Sequence, residues 1–433
     1  VSGLLKYLRG NNMYKGIQLA VLLIVSILMM SITVAAQDIS IKEHWFEQPV
    51  DHQQANGETF KQQVWVLEPE NLADNYQVFF VLGNETDATR AAVERLYRAY
   101  SSPSDMVFIW AEHRGYGQSI TKGSQTVPDY ITVADTLADY HRVVEHFKSQ
   151  YSVPWLAAGY SYGGALVINF AHSYPKDADA ILSSSAPIDW TFQIPKYSEQ
   201  VLKNLGKPLT DRLANHILKL QPTALYDGNW QDRELLSAVI TLLSQRGSGQ
   251  SFKPVIDELS YLTTKEFVTK LRNILPEEGT LYVSSRQPRE VNYQQSSVGN
   301  LNWRTWKYQQ CSEVGSFFGG YPFQYTKAEL FNDCKAVFGI EPETLKSEDW
   351  RVSDMVKELT LPHVAVVGGK DPWARIGIQA NHGNKNLEYV YAENQFHCPD
   401  KEDKQLGAKV MSLLRSKVVP TGFNMERLSH TGH

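Results

Sequence analysis

A chain of 433 residues, 42% hydrophobic and 21% charged, can bury a large core and exceeds the ~100–150-residue mode of single domains. Its formal net charge of −5, with no basic cluster, speaks against nucleic acid as a partner. The three cysteines show no Cys/His spacing suited to zinc, so neither a metal nor a cofactor is expected.

Ile17 to Ala36 is a nearly uninterrupted apolar run, preceded by Lys6, Arg9 and Lys15 and closed by the small residues Val34-Ala35-Ala36. That is the layout of a secretory signal peptide, with Met13 a candidate start. The run approaches the ~20 residues that span a bilayer, so an uncleaved anchor competes. The small-residue ending favours cleavage near Ala36, export to the periplasm or medium, and no membrane partner afterwards. The sequon Asn84-Glu85-Thr86 stands alone, which leans towards a bacterial exported protein. In an oxidising compartment Cys311 and Cys334, flanking a short segment, are the expected disulfide and Cys398 is left over.

His44 to Gln53 reads as a polar-aromatic lead-in, and Thr59 to Leu67 alternates like a half-buried antiparallel strand. Gln77 to Leu82 and Met106 to Trp110 are continuous apolar runs of strand length, hence central and buried on both faces. Helices are expected over Ala88–Tyr100 and Thr132–Ser149, the second placing Val133, Leu137, Tyr140, Val144 and Phe147 on one face. Another apolar run opens at Trp155 and ends in Gly159-Tyr160-Ser161-Tyr162-Gly163. A helix from Ala165 to His172 and a strand from Ala178 to Ser184 follow. Strands alternating with helices predict a parallel, doubly wound sheet.

From Trp190 to Asp349 the strand pattern stops. Helix-like stretches (Asp211–Leu220, Glu234–Gln245, Thr264–Leu275) and aromatic-rich loops from Tyr293 to Tyr325 make it a helical insertion rather than a linker. The sheet resumes at His363–Val367, ends in Gly368-Gly369-Lys370-Asp371-Pro372-Trp373 and continues with a helix. A last strand, Leu387–Tyr391, runs into Phe396-His397-Cys398 and a final helix, Lys401–Leu414. The expected division is a signal over 1–36, a sheet domain over 37–189 and 350–433, and a helical insertion over 190–349.

The chemistry rests on Gly-x-Ser-x-Gly between a strand and a helix, the setting of a nucleophile elbow. A serine hydroxyl needs a base, and the base a carboxylate to orient it. Asp371 and His397 each follow a later strand, in the chain order Ser, Asp, His of α/β-hydrolases. His363 and His382 are rivals for the base, one starting a strand and the other at a helix end. An unperturbed imidazole would place the acid limb of activity near ~6.5. The oxyanion donors expected are the amide of Tyr162 and that of Asn84 or Glu85, in the loop after Gln77–Leu82.

Taken together, the motifs resemble the serine peptidase family of lysosomal prolyl carboxypeptidase and dipeptidyl peptidase II, from about Trp45 to Leu414. They are Phe46 to His52 with Thr59-Phe60, Gly83-Asn84-Glu85, Glu112-His113-Arg114, Ser161-Tyr162-Gly163-Gly164, Ser184-Ser185-Ala186-Pro187, Trp306 to Glu313, Asp371-Pro372-Trp373 and His397-Cys398-x-Asp400. The resemblance implies an α/β-hydrolase fold with an inserted helical cap and Ser161, Asp371 and His397 as nucleophile, acid and base. It also implies exopeptidase cleavage on the carboxyl side of proline, in peptides carrying proline near one terminus. Trp306, Tyr308 and Trp373 are candidates for an aromatic proline pocket, and Glu85 for substrate binding. Family members often dimerise, so a homodimer is admitted. Three departures bear on pocket shape: Tyr160 before the nucleophile, Gly115 in place of an aromatic, and Thr86 in place of glycine. An esterase or lipase of the same fold and a silent binding protein are the competing readings.

Overall fold

The computed structural model describes residues 39–54, 57–100, 105–121, 130–221, 228–274, 298–341 and 351–418. The expected signal segment lies outside them. Among the described residues no helix is long and apolar enough to cross a membrane.

The first half of the chain contributes β1 (Ile39–Pro49), β2 (Thr59–Pro69), β3 (Gln77–Leu82), α1 (Arg90–Tyr100), β4 (Met106–Ala111), α2 (Val133–Lys148), β5 (Trp155–Tyr160), α3 (Tyr162–Ser173) and β6 (Ala180–Ser184). A helical stretch follows: α4 (Pro195–Leu205), α5 (Lys207–Lys219), α6 (Gly228–Gln245), α7 (Lys253–Leu259), α8 (Thr264–Ile274), α9 (Val298–Gln309) and α10 (Lys327–Phe338). The chain closes with α11 (Val352–Glu358), β7 (His363–Gly368), β8 (Leu387–Ala392), α12 (Pro399–Glu402) and α13 (Lys404–Val418).

Eight strands form one sheet in the order β1-β2-β4-β3-β5-β6-β7-β8. β1 and β2 pair antiparallel, as do β2 and β4; every other pair is parallel. The strand alternation builds two cores. Val78, Phe80 and Leu82 face α2, α3 and α11, whereas Phe79 and Val81 face α1 and α13. This is the three-layer architecture of the α/β-hydrolase fold. The helices between β6 and β7 gather a separate apolar cluster around Tyr197, Leu213, Leu236 and Phe267.

Three local readings are corrected. The polar-aromatic lead-in is a full strand, β1, registered on β2 from Ile39 opposite Pro69 to Pro49 opposite Thr59. It is an edge strand with Trp45 exposed, so hydrogen bonding rather than burial holds it, and no clean alternation marks it. The helix expected after Trp373 is a single 3-10 turn, Pro372–Arg375, and His382 therefore lies in a turn, not at a helix end. The closing helix breaks at Asp403, whose carboxylate accepts from the amides of Gln405 (2.9 Å) and Leu406 (3.1 Å) and so starts α13 afresh.

Candidate active site

Ser161 sits between β5 and α3 at φ 56°, ψ −126°, a conformation that costs an L-residue ~1–3 kcal/mol. The neighbours that permit the turn are glycines for a measurable reason. A Cβ on Gly159 would stand 1.8 Å from the Gly163 carbonyl oxygen, and one on Gly164 2.8 Å from Ala186 Cβ. The amide of Ser161 donates to Ser184 O (2.9 Å), and the amide of Gly164 donates to Ser161 O (2.9 Å). The side chain does not cap α3, so the hydroxyl is not consumed by the helix it precedes.

The departure at Tyr160 points the other way. Its ring is buried beneath the sheet, 6.2 Å from Tyr100 and under the ammonium of Lys401. It therefore takes no room above the nucleophile. Gly115 is explained chiefly by Ile131: at φ 82°, a Cβ there would meet Ile131 at 2.1 Å and Thr305 of α9 at 3.2 Å.

His397 Nδ1–H donates to Asp371 Oδ2 at 2.7 Å. The second oxygen of Asp371 accepts from the amide of Trp373 (3.0 Å), and the residue is fully buried. An ionised carboxylate only accepts, so the ring proton sits on Nδ1 and Nε2 is left to act as a base. Burial is the largest single influence and opposes charge on the imidazole, but the Asp371 carboxylate and the Cys398 thiol together outweigh it and raise the pKa above its ordinary value. The rivals are occupied elsewhere. His363 is buried in the sheet against the Ser183 hydroxyl (2.7 Å), and burial lowers its pKa to about 3. Among the described residues His382 bonds only within its own turn, to Gln379.

The end of β6 holds both loops. Ser184 O takes the Ser161 amide and lies 3.8 Å from the Cys398 thiol, while Ser185 Oγ accepts from the Cys398 amide (2.8 Å). Ser161, Ser185 and Cys398 are all non-glycine residues at positive φ, and such strain gathers at functional sites. Ser161 Oγ makes no hydrogen bond to His397 among the described residues; such contacts often tighten only when substrate binds.

Asn84 rests on the start of α3, its Cβ 3.1 Å from where a Gly163 Cβ would stand. Its side-chain amide reaches Tyr160 O at 3.5 Å, and Tyr140 OH donates to Gly83 O at 3.0 Å. Glu85, next along, has a buried Oε2 with no hydrogen-bond partner among the described residues. Tyr162, directly after the nucleophile, is raised well above the usual phenol pKa by burial, with the carboxylates of Glu313 and Glu85 adding to it.

The insertion reaches this point through α9. Trp306 packs against the Tyr162 ring at 5.2 Å, and Gln309 Nε2 donates to Tyr162 OH (2.8 Å) while its Oε1 accepts from Tyr116 OH (2.6 Å). Tyr308 is not with them. Two residues from Trp306, it lies on the far side of the helix, against Phe338 at 5.4 Å. Trp373 packs on Tyr197 (5.1 Å) and Phe318 (6.0 Å), at the foot of α4. Cys311 and Cys334 are joined by a disulfide, and Cys398 is a buried free thiol.

Sequence reasoning named Glu112, Gln309 and Asn204 at most as parts of motifs. Glu112 is buried with its carboxylate among backbone amides, and Asn204 on α4 donates to Ser244 O (2.7 Å) and Lys370 O (2.6 Å). For Glu112 a signal existed, since an acidic residue ending a buried apolar strand has to find partners inside. Asn204 carries none.

Residues 48–216 match the family described as Serine carboxypeptidase S28. A lysosomal Pro-X carboxypeptidase of Pongo abelii is 24% identical over 434 residues, spanning 86% of this chain and 86% of that protein. A prolyl tri/tetrapeptidyl aminopeptidase of Streptomyces mobaraensis is 26% identical over 163 residues, 37% of this chain and 32% of the other. A thermophilic esterase from Thermogutta terrifontis superposes at a TM-score of 0.45 with 12% identity, covering 87% of this chain and 100% of that one. That superposition is too loose to add weight, and the fold rests on the strand order above. The chain is a serine-type hydrolase of the α/β-hydrolase class. More narrowly, it is a serine peptidase whose resemblance to the prolyl carboxypeptidase family is carried by these matches.

Proposed function

We propose that the enzyme hydrolyses peptides on the carboxyl side of proline through an acyl-enzyme formed on Ser161. His397 Nε2 takes the hydroxyl proton as Oγ attacks the prolyl carbonyl, then returns it to the leaving amine. Asp371 holds the ring in the tautomer that makes this feasible. The developing oxyanion is received by the amides of Tyr162 and Asn84; losing one such donor typically costs ~3 kcal/mol in the barrier. Trp306 beside Tyr162 supports one wall of a proline slot, with Trp373 on the side of the Asp371 turn. The observation that carries the reading is the 2.7 Å bond between His397 and Asp371, on a loop hung from the same serine pair that holds the nucleophile's amide. Residues 190–349 act as a cap over the sheet domain of 37–189 and 350–433, and residues 1–36 direct export.

Two observations pull the exopeptidase direction apart. The relative matched over 86% of its length is a Pro-X carboxypeptidase, which favours release of a C-terminal residue as the first reading. The buried, unpartnered carboxylate oxygen of Glu85 favours capture of an N-terminal ammonium and release of a short N-terminal peptide as the second. Mass spectrometry of products from a proline-containing peptide panel separates them. Ser161→Ala should abolish turnover and organophosphate labelling together. Rapid p-nitrophenyl ester turnover with no prolyl peptide cleaved would instead favour the esterase reading.

A further inference from the structure

Glu112 directly follows β4 and turns its carboxylate into the interior, where only 1% of the residue stays exposed. Four donors converge on it. The amide of Ala88 reaches Oε1 at 2.8 Å, and Oε2 accepts from the amides of Gln118 (2.9 Å) and Ser119 (3.0 Å) and from the Ser119 hydroxyl (2.7 Å). Its backbone is pinned as well: its amide donates to Gln63 O (3.0 Å), and its carbonyl accepts from Gln62 Nε2 (2.7 Å). Gly117 is required beside it, because a Cβ there would lie 1.8 Å from Oε1.

Ala88 closes the loop that begins at Gly83 and carries Asn84. The near end of that loop is held at Gly83, whose amide donates to Ala111 O (2.8 Å) and whose carbonyl accepts from Tyr140 OH (3.0 Å). The far end is held by Glu112 at Ala88 N and by Trp65 Nε1 at Ala88 O (2.6 Å). Asn302 of α9 braces the other side, accepting from Gly117 N (2.8 Å) and reaching Asp87 (3.4 Å).

We infer that Glu112 is a positioning residue for the reaction: its ionised carboxylate ties the Asn84 loop to the 115–119 turn and so fixes the oxyanion donor opposite Ser161. This rests on the reading of Ser161 and Asn84 given above. Protonation takes away one acceptor site among four donors, so the tie depends on charge. Burial lifts the Glu112 pKa to about 7 against the pull of those donors. The ionisable groups around it are Tyr140 on α2, Glu85 and Asp87 in the loop, and His113 and Arg114 next in sequence. Burial keeps Tyr140 neutral and lowers His113 to about 3, and Arg114 is engaged by Asp139.

The test is kcat and KM on a prolyl peptide between about pH 5 and 9, in wild type, Glu112→Gln and Ser119→Ala. Gln keeps the shape but cannot satisfy every donor. Its kcat should fall about tenfold or more with KM within about twofold, the signature of a group felt in the transition state. Below about pH 7 the wild-type log kcat/KM should fall with a slope near two, one proton for His397 and one for Glu112. Glu112→Gln should keep a slope near one. Ser119→Ala removes a donor without removing the acid, and should move the steep limb to higher pH. A Gln variant with wild-type kcat and slope overturns the inference, as does an unmoved limb in folded Ser119→Ala. A wild type that cleaves no peptide, or Ser161→Ala as active as wild type, strikes the reading of the site itself.

Discussion

The carboxylate beside His397 does more than aim the ring. Because it raises the imidazole pKa, the base is protonated, and idle, at pH values where a free histidine would work. The acid limb of kcat/KM should therefore lie above the ~6.5 of an unperturbed imidazole, against the expectation drawn from sequence. Asp371→Asn removes the charge that holds the proton on. Its limb should move to lower pH while kcat drops by about 10⁴, as when a triad carboxylate is neutralised and the tautomer lost. A pH–rate series on the two proteins reads both effects, and a limb in the same place in both would refute this account of the pair.

Among the elements, the β1–β2 hairpin depends on one guanidinium. Arg114 is fully buried, paired through Nε and Nη2 with Asp139 on α2 at 2.7 Å each, and donates to Pro49 O (3.1 Å), Val50 O (2.8 Å) and Tyr130 O (2.9 Å). His52 adds Nε2 to the same carboxylate at 2.7 Å. Arg114→Ala leaves Asp139 charged and buried, and should cost about 3–5 kcal/mol in urea unfolding. Loss below about 1 kcal/mol would mean that water or His52 replaces the pair. At this scale the sequence was most readable where burial sets the pattern. The runs at 77–82, 106–110 and 155–160 became central strands because both faces had to be apolar. It was least readable where hydrogen bonds decide. Nothing in the composition of Lys42 to Gln48 marks an edge strand, and no periodicity tells that Asp403 restarts a helix. The Ser, Asp and His proposed for the site were named from Gly-x-Ser-x-Gly and from the loops after two later strands, in that chain order. Glu112 offered one signal, an acid directly after a buried apolar run, but not the identity of its partners; Asn204 offered none, because its partners are main-chain carbonyls, which every sequence supplies.

On the scale of the whole molecule, the inserted helices are fastened to the loops that carry the chemistry. Asn204 ties α4 to Ser244 O at the end of α6 and to Lys370 O, one residue before Asp371. Asn204→Ala unties two carbonyls at once and should lower stability by about 1–3 kcal/mol. It should reduce kcat severalfold more than it changes KM, as read by steady-state kinetics beside thermal unfolding. An unchanged kcat would show that the Asp371 turn stands without α4.

The amide of His397 itself donates to Gln245 O, at the last residue of α6 (3.1 Å). A helical layer that swings clear must let go of this amide and so loosen the loop that carries His397. On the cap reading proposed above, a substrate enters beneath the seated layer. Slack polypeptide tails meet that demand and folded globules do not, so a digest of an intact protein should nibble ends and leave its interior whole.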